Sequence, residues 1–352
     1  MQYIEELYDK IKKDIRINIK EGLDLYNNAD LLTLARLADL KRYKLNPDKI
    51  VTYVIDRNIN YTNICVSGCK FCAFYKKLGE EGGYLITKQE LSEKIKETIL
   101  LGGTQILLQG GMHPELELDY YIDLLKFIKK NFDIHIHGFS PSEINYIAEK
   151  SSLSIKQTIE ILKQAGLDSI PGGGAEILCD DIRRKVSPLK CMSDQWLNVM
   201  EQAHGLDMRT TATMMFGHRE EPLHIFKHLN KLRDLQDRTK GFTAFIPWTF
   251  QPDNTQISVR KKTAVEYLRV LALTRIFLDN FNNIQASWVT QGDKIAQIAL
   301  FYGANDIGST MIEENVVSSA GVDFMLPEKT LKYLISKAGF EPRQRDCYYN
   351  LI

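Results

Sequence analysis

The sequence predicts an α/β fold, a (β/α)8 TIM-type barrel with helical additions at its N- and C-terminal ends, and three observations carry that expectation. From residue 51 onward, short β-branched or apolar runs alternate with stretches of helical length, the pattern of parallel strands joined by crossover helices. The alternation reaches eight strand candidates without a break. No linker rich in Pro, Gly or Ser divides the 352 residues. A doubly wound open sheet is the alternative, and the count of eight favours the barrel.

Residues 1–50 open with the charged stretch MQYIEELYDKIKKDIR and continue through LDLYNNADLLTLARLADLKRYKL, read as helices packed outside the barrel or closing its bottom. The strand candidates follow as VTYVIDRNI, TQILLQ, DIHIHGF, GLDSIPGG, RTTATMMFG, GFTAFIPWTF, IQASWVT and ANDIGST. Between them, KQELSEKIKETILLG, DYYIDLLKFIKKNF, SIKQTIEILKQAG, DQWLNVMEQAHG, EPLHIFKHLNKLRDL and TAVEYLRVLALTRIFLDN repeat apolar residues every three or four positions, as amphipathic helices do. MLPEKTLKYLISKAGF then reads as a last helix before a tail. The expected division is a helical extension at 1–50, a barrel at 51–325 and a helix with its tail at 326–352.

Composition narrows the function classes. Lys plus Arg and Asp plus Glu number 45 each, which leaves no global basic field for nucleic acid or an anionic membrane. No apolar run approaches the ~20 residues that span a bilayer, and the charged start is unlike a signal peptide. Six cysteines in a chain this long speak against a disulfide framework and for a reducing, cytoplasmic setting.

Three of those six lie together in NICVSGCKFCAFYK, at Cys65, Cys69 and Cys72, just after the first strand candidate. On a barrel, loops that follow strands build the active site. Three close thiolates can hold three irons of a 4Fe-4S cluster, and with no fourth cysteine nearby the last iron stays open to an outside ligand. A zinc site needs four closed ligands, and only a remote His113, His135 or His137 offers the fourth. Three unligated core cysteines are the remaining alternative, set against the polar Asn63, Gly68 and Lys70 of the loop. Cys179, Cys191 and Cys347 are too scattered to read as a second cluster motif.

With Phe71 between its second and third cysteines, the loop resembles the signature of the radical S-adenosylmethionine enzymes, C-x3-C-x-aromatic-C. The resemblance implies Cys65, Cys69 and Cys72 as ligands of one 4Fe-4S cluster, S-adenosylmethionine as second cofactor, and Phe71 on the adenine side. It also gives roles to LLQGGMHPEL, where Gly110 and Gly111 would present carbonyls to the methionine ammonium. In SIPGGGAEIL, Glu176 would accept from the ribose hydroxyls; a salt-bridged Glu beside a tight turn is the plain alternative. Ser140, with Lys190 or Arg184 for the methionine carboxylate, extends the set.

The segments DRNINYTNICVSGCKFCAFYK, GFSPSEI, PGGGAEIL, ATMMFGH, FIPWTFQPDNT, ASWVTQGDK and GANDIGSTMIEENVVSSAG together resemble the dehypoxanthine futalosine cyclase family of menaquinone biosynthesis. That family is a sibling of aminofutalosine synthase and of the radical subunits of deazaflavin cofactor synthase. The resemblance implies dehypoxanthine futalosine as substrate and a reductant such as flavodoxin or ferredoxin as partner, with no nucleic acid and no membrane. Trp248 and Trp288, at the carboxyl ends of the sixth and seventh strand candidates, read as an apolar wall for the benzoate or as plain core, and Gln251, Asn254, Gln291 and Asn305 as partners of hydroxyls or carboxylate or as solvated loop residues. His218, Asp306, Glu313 and Glu314 are candidates for the proton acceptor. His135 and His137 share one strand face, where a hydrogen-bonded core histidine is the plain reading and a pocket-lining histidine the alternative. A barrel whose cluster only relays electrons or stabilises the fold is the non-enzyme alternative.

Overall fold

In the computed structural model, which describes residues 2–322 and 326–352, nine strands lie in three parallel three-stranded sheets. They are β1 (Ile50–Val54), β2 (Asp56–Asn60), β3 (Gln105–Gln109), β4 (His135–Gly138), β5 (Thr210–Phe216), β6 (Phe242–Thr249), β7 (Asn283–Ile284), β8 (Asp306–Ser309) and β9 (Glu341–Gln344). The sheet orders are β8-β1-β9, β2-β3-β4 and β5-β6-β7. Single parallel bridges link these sheets, His137 to Ser169, Ile170 to Thr210, and Gln285 to Asp306. β1 and β2 are consecutive, and the amides of Thr310 and Ile312 donate to the carbonyls of Val54 and Asp56. The boundary expected at 325 lies outside the described residues.

Three strand candidates depart from expectation for local reasons. The first changes partners at Ile55, because β9 lies parallel beside β1 while β3 lies beside β2. The fourth, GLDSIPGG, reduces to bridges at Ser169 and Ile170, since Pro171 has no amide to continue the ladder. The seventh ends at Ile284 and gives way to a short helix, Trp288–Gln291. There the Ser287 amide donates to the Tyr267 hydroxyl at 2.8 Å, and the Trp288 indole donates to the Ser309 carbonyl at 2.9 Å.

The expected helices form at Lys88–Leu100, Leu118–Asn131, Ile155–Ala165, Ser193–Gly205, Pro222–Thr239 and Ala264–Phe277. The N-terminal helices Gln2–Lys12, Ile19–Asn28 and Leu31–Leu45 form an outer layer, the last against Ala264–Phe277. A further helix, Pro141–Lys150, starts at Ser140, whose hydroxyl and amide both meet the carboxylate of Glu143, with Pro141 in the first turn. Between strands and helices, Val51, Ile59, Ile106, Leu108, Ile136 and Ile170 are fully buried. No described helix is long and apolar enough to cross a membrane.

The tail holds more structure than its sequence suggested. After helix Glu328–Lys337, β9 pairs with β1 and delivers Arg345 to a bidentate ion pair with Asp306, at 2.5 and 3.1 Å. Both side chains are buried. Removing one partner of such a pair leaves an unpaired charge in a low dielectric. Arg345→Ala is expected to cost about 3–5 kcal/mol of stability, read from urea denaturation midpoints; an unchanged midpoint would mean that the tail does not anchor the strands.

Candidate functional site

The three cysteines sit on the loop that leaves β2, and polar side chains fix its path. Asn63 donates to the Gly82 carbonyl at 2.9 Å and accepts from the Tyr84 amide at 3.0 Å. The Cys65 amide donates to the Lys76 carbonyl, and the Lys70 amide to the Val186 carbonyl, both at 2.9 Å. The Met112 amide donates to Cys65 Sγ at 3.3 Å, while Ser67 Oγ lies 3.0 Å from Cys65 Sγ and 3.3 Å from Cys69 Sγ. Cys69 is buried, Cys65 and Cys72 half-buried, and none is in a disulfide. Burial pushes the Cys69 thiol up to about 12 and raises Cys72 as well.

Among the described residues, the one set of three Cys, His, Asp or Glu donors placed to share a metal ion is His135, His137 and Cys347, within 4.8 Å of one another. A backbone N–H aimed at Cys65 Sγ is a donor that a bound thiolate keeps. His113 is engaged otherwise, accepting from the Glu115 amide at Nδ1.

From this loop a row of charged side chains leads inward. Lys190 Nζ lies 5.3 Å from the Phe71 ring centroid and 3.0 Å from Glu176 Oε1. Arg183 reaches the other oxygen of Glu176 at 3.3 Å and also holds the carbonyls of Gly174, Ala175 and Cys191. Burial works to raise the Glu176 carboxyl, but Lys190 and Arg183 outweigh it and hold the group below its ordinary range. Glu176 has a left-handed backbone, φ 40°, so the turn that presents it is a constrained one. Arg184 is exposed, away from this row.

The glycine pair after β3 has a packing reason. A Cβ at Gly111 would sit 2.2 Å from the Ile64 carbonyl oxygen, and one at Gly110 2.5 Å from the Tyr61 ring. The Gly110 amide donates to Glu143 Oε1 at 2.9 Å, an oxygen that also accepts from the Tyr61 hydroxyl. Glu143, which the sequence reading did not single out, therefore ties Tyr61, Gly110 and Ser140 together; its signal was the capping spacing Ser140-x-x-Glu143.

A cavity of about 300 Å3 opens beside Glu176. Trp248, Trp288, Glu314 and His137 line it, and so do Asp56, Asn58, Gln105 and Arg345, which had no assigned role. The buried Oδ1 of Asn58 and Oε1 of Gln105 have no hydrogen-bond partner in the protein. Asp56 accepts from Ser309 and, at 2.7 Å, from Gln105 Nε2, and burial raises its carboxyl. β2 and β3 carry Asp56, Asn58 and Gln105, and alternation along the strand points Asp56 and Asn58 to one face.

The other candidates are engaged elsewhere. Asn305 accepts from Arg275 at 2.6 Å and donates to Asn283, inside the strand lattice. Gln251 and Gln291 both donate to Thr249 Oγ1, at 3.1 and 2.6 Å. Asn254 donates to the Ser319 carbonyl, and Glu313 pairs with Lys94. His218 is buried between the Met215 carbonyl and the Arg219 amide, and Asp306 is bound to Arg345. Glu314 faces the cavity with its oxygens taking the amides of Val316, Val317 and Ser318.

Comparison with known proteins bears on this arrangement. The Radical SAM superfamily profile matches residues 59–232, and the CofH/MqnC C-terminal region matches residues 239–352. The cyclic dehypoxanthine futalosine synthase of Halalkalibacterium halodurans is 44% identical over 99% of this chain and 95% of its own. The 5-amino-6-(D-ribitylamino)uracil--L-tyrosine 4-hydroxyphenyl transferase of Methanocaldococcus jannaschii is 40% identical over 97% and 98%. In structure, the FeFe-hydrogenase maturase HydG of Carboxydothermus hydrogenoformans superposes with a TM-score of 0.74 at 16% identity, over 99% of this chain and 81% of that one.

Two outcomes follow from the geometry. Gly111→Ala forces the Ile64 carbonyl aside and is expected to lower iron bound per chain after reconstitution by at least half, measured by metal analysis; full iron content would refute the tight packing. Burial holds His137, His204 and His228 at about 3, 4 and 3, against a usual 6.5, so each is neutral in the fold. Their unfolded counterparts take up protons first. Stability should therefore fall as pH drops below about 6.5, by up to about 1.4 kcal/mol per pH unit for each histidine, and denaturation at stepped pH measures the slope.

Proposed function

The chain belongs to the radical SAM superfamily and carries the CofH/MqnC C-terminal region, and from that premise we propose that it cyclises dehypoxanthine futalosine in menaquinone biosynthesis. The reading includes a closed (β/α)8 barrel over residues 51–325, with the helices of 1–50 outside it and residues 326–352 completing the end. The sheet order, the three bridges and the contact of Thr310 and Ile312 with the first strand support closure.

Cys65, Cys69 and Cys72 would hold three irons of a 4Fe-4S cluster in this reading, and the bound, reduced cluster would supply the electron for reductive cleavage of S-adenosylmethionine. The chain's own residues position the rest. Phe71 and Lys190 flank the cofactor side, and Glu176, ionised between Lys190 and Arg183, accepts ribose hydroxyls. Trp248 and Trp288 wall the benzoate ring of the substrate and exclude water. The orphaned carbonyl oxygens of Asn58 and Gln105 take hydroxyl donors. A flavodoxin- or ferredoxin-type donor supplies the electrons.

The observation that carries the reading is that one row, Phe71 to Lys190 to Glu176, connects the three-thiol loop to a cavity with two tryptophans in its wall. The substrate loses two hydrogens, one as an atom from a ribose carbon and one as a proton with an electron from the ring. The 40% identity to the tyrosine-dependent transferase supports a second reading, coupling of tyrosine to a ribitylaminouracil. Reduced, reconstituted protein should convert S-adenosylmethionine and dehypoxanthine futalosine to 5′-deoxyadenosine and a product two hydrogens lighter, read by mass spectrometry. Turnover only with tyrosine and the uracil would establish the second reading instead. Cys69→Ala should abolish cofactor cleavage in either case.

A further inference from the structure

Cyclisation frees a proton inside a walled cavity, and the reading above leaves its exit unassigned. His137 lines that cavity, with Nε2 3.4 Å from Thr211 Oγ1 on the same wall. Its other nitrogen, Nδ1, lies 2.7 Å from Ser169 Oγ. Ser169 Oγ lies 2.7 Å from Nε2 of His135. His135 opens β4, is only half-buried, and meets the exposed Tyr348 ring edge-on at 5.0 Å. Two hydrogen bonds thus join the cavity wall to the outer rim at the N-terminal end of the strand.

Proton accounting gives this file a direction. A neutral imidazole has one N–H and a serine one O–H. With the hydrogen of His137 on Nδ1, it donates to Ser169 Oγ, whose own hydrogen donates to His135 Nε2. His137 Nε2 is then a bare acceptor on the cavity side, and His135 carries its proton on Nδ1. Burial, with His135 and Arg345 nearby, keeps His137 a weak base, so a proton taken there is passed on. The carboxylates of the wall offer no comparable path. Asp56 is held by Ser309 and Gln105, Glu176 by Lys190 and Arg183, and Glu314 by backbone amides.

We propose that His137, Ser169 and His135 form a proton relay that carries the ring proton of the cyclised substrate from the cavity to solvent. This rests on the cyclase reading. The ring C–H bond breaks, its electron pair returns to the ring, and the proton bonds to His137 Nε2. The Nδ1 proton moves to Ser169, the Ser169 proton to His135 Nε2, and the His135 Nδ1 proton to water. The odd electron leaves to a one-electron acceptor of the iron–sulfur or flavin class. His135 and His137 also form, with Cys347, the three-donor set within 4.8 Å, and an ion bound there would block the relay.

The test uses cluster-loaded enzyme and compares cyclised product with 5′-deoxyadenosine formed. His135→Ala should keep its iron and its cofactor cleavage but form product at least about tenfold less efficiently, and 4-methylimidazole in the buffer should restore it. Ser169→Ala should show the same loss without rescue, because the gap lies inside the protein, whereas Ser169→Thr, which keeps the hydroxyl, should work. Product formed equally well by all three variants overturns the relay alone, as does a His135→Ala defect that the added base leaves unchanged. A stoichiometric extra metal ion lost from Cys347→Ser also overturns it. Wild-type enzyme that forms no cyclised product overturns the cyclase reading and the relay with it.

Discussion

The ion pairs around Glu176 are the constraint on which the site depends. A carboxylate buried on a left-handed backbone is unfavourable twice, by desolvation and by strain of about 1–3 kcal/mol. Lys190 and Arg183 together keep it ionised. Arg183 also grips the carbonyls on either side of the turn, so the glycine-rich segment, the helix Asp180–Val186 and the carboxylate move as one piece. The end of that helix receives the Lys70 amide of the cysteine loop. Loop geometry and cavity geometry are thereby set by one buried charge cluster. Such clusters seldom add net stability, and positional specificity is the better account of why charge is kept here.

The fold was legible wherever hydrophobic periodicity was the deciding signal. The stretch 222–239 formed a helix that buries one face, whereas 264–277 is buried nearly all round, packed between the helix Leu31–Leu45 and β6. Strand candidates failed in part where backbone chemistry overrode pattern, as at Pro171, or where a distant partner captured an amide, as Tyr267 captures Ser287. β9 was illegible for a different reason. EPRQ has the charge and proline of an edge segment, and only its fit beside β1, some three hundred residues earlier in the chain, makes it a strand.

The site divides in the same way. Three thiols on one short loop declare themselves, since local spacing fixes what they can bind. Glu176 and Lys190 lie fourteen residues apart and were named from resemblance, but the Arg183 that completes them reads as surface charge on a short helix. Asp56, Asn58 and Gln105 look like polar residues in strands, and it is the sheet that turns them toward a common cavity. Asn305 shows the converse. It stands beside the cavity's strands in sequence, yet Arg275 and Asn283 consume its amide in the lattice that spaces β7 from β8.

The cavity's polar wall has a consistent logic for radical chemistry. Two of its charges are paired within the protein, Glu176 with Lys190 and Arg183, and Arg345 with Asp306, while burial raises the carboxyls of Asp56 and Glu314. Among the lining groups, what remains unsatisfied are the amide oxygens of Asn58 and Gln105, which have no hydrogen to give, and the Tyr349 hydroxyl, which has one. Beside the Tyr349 phenol stands the Cys347 thiol, whose weak S–H bond makes it a competent hydrogen-atom donor, and it too lies in the wall. Burial keeps it protonated, pushed up to about 12, and Ser169 Oγ stands 3.4 Å from its sulfur. A wall that bears such a donor can sustain a carbon radical only if ring closure outruns hydrogen transfer. Holding the reacting ring and ribose close together is therefore the protein's main task, and the stiffness of the Glu176 cluster and of the two tryptophans serves it directly.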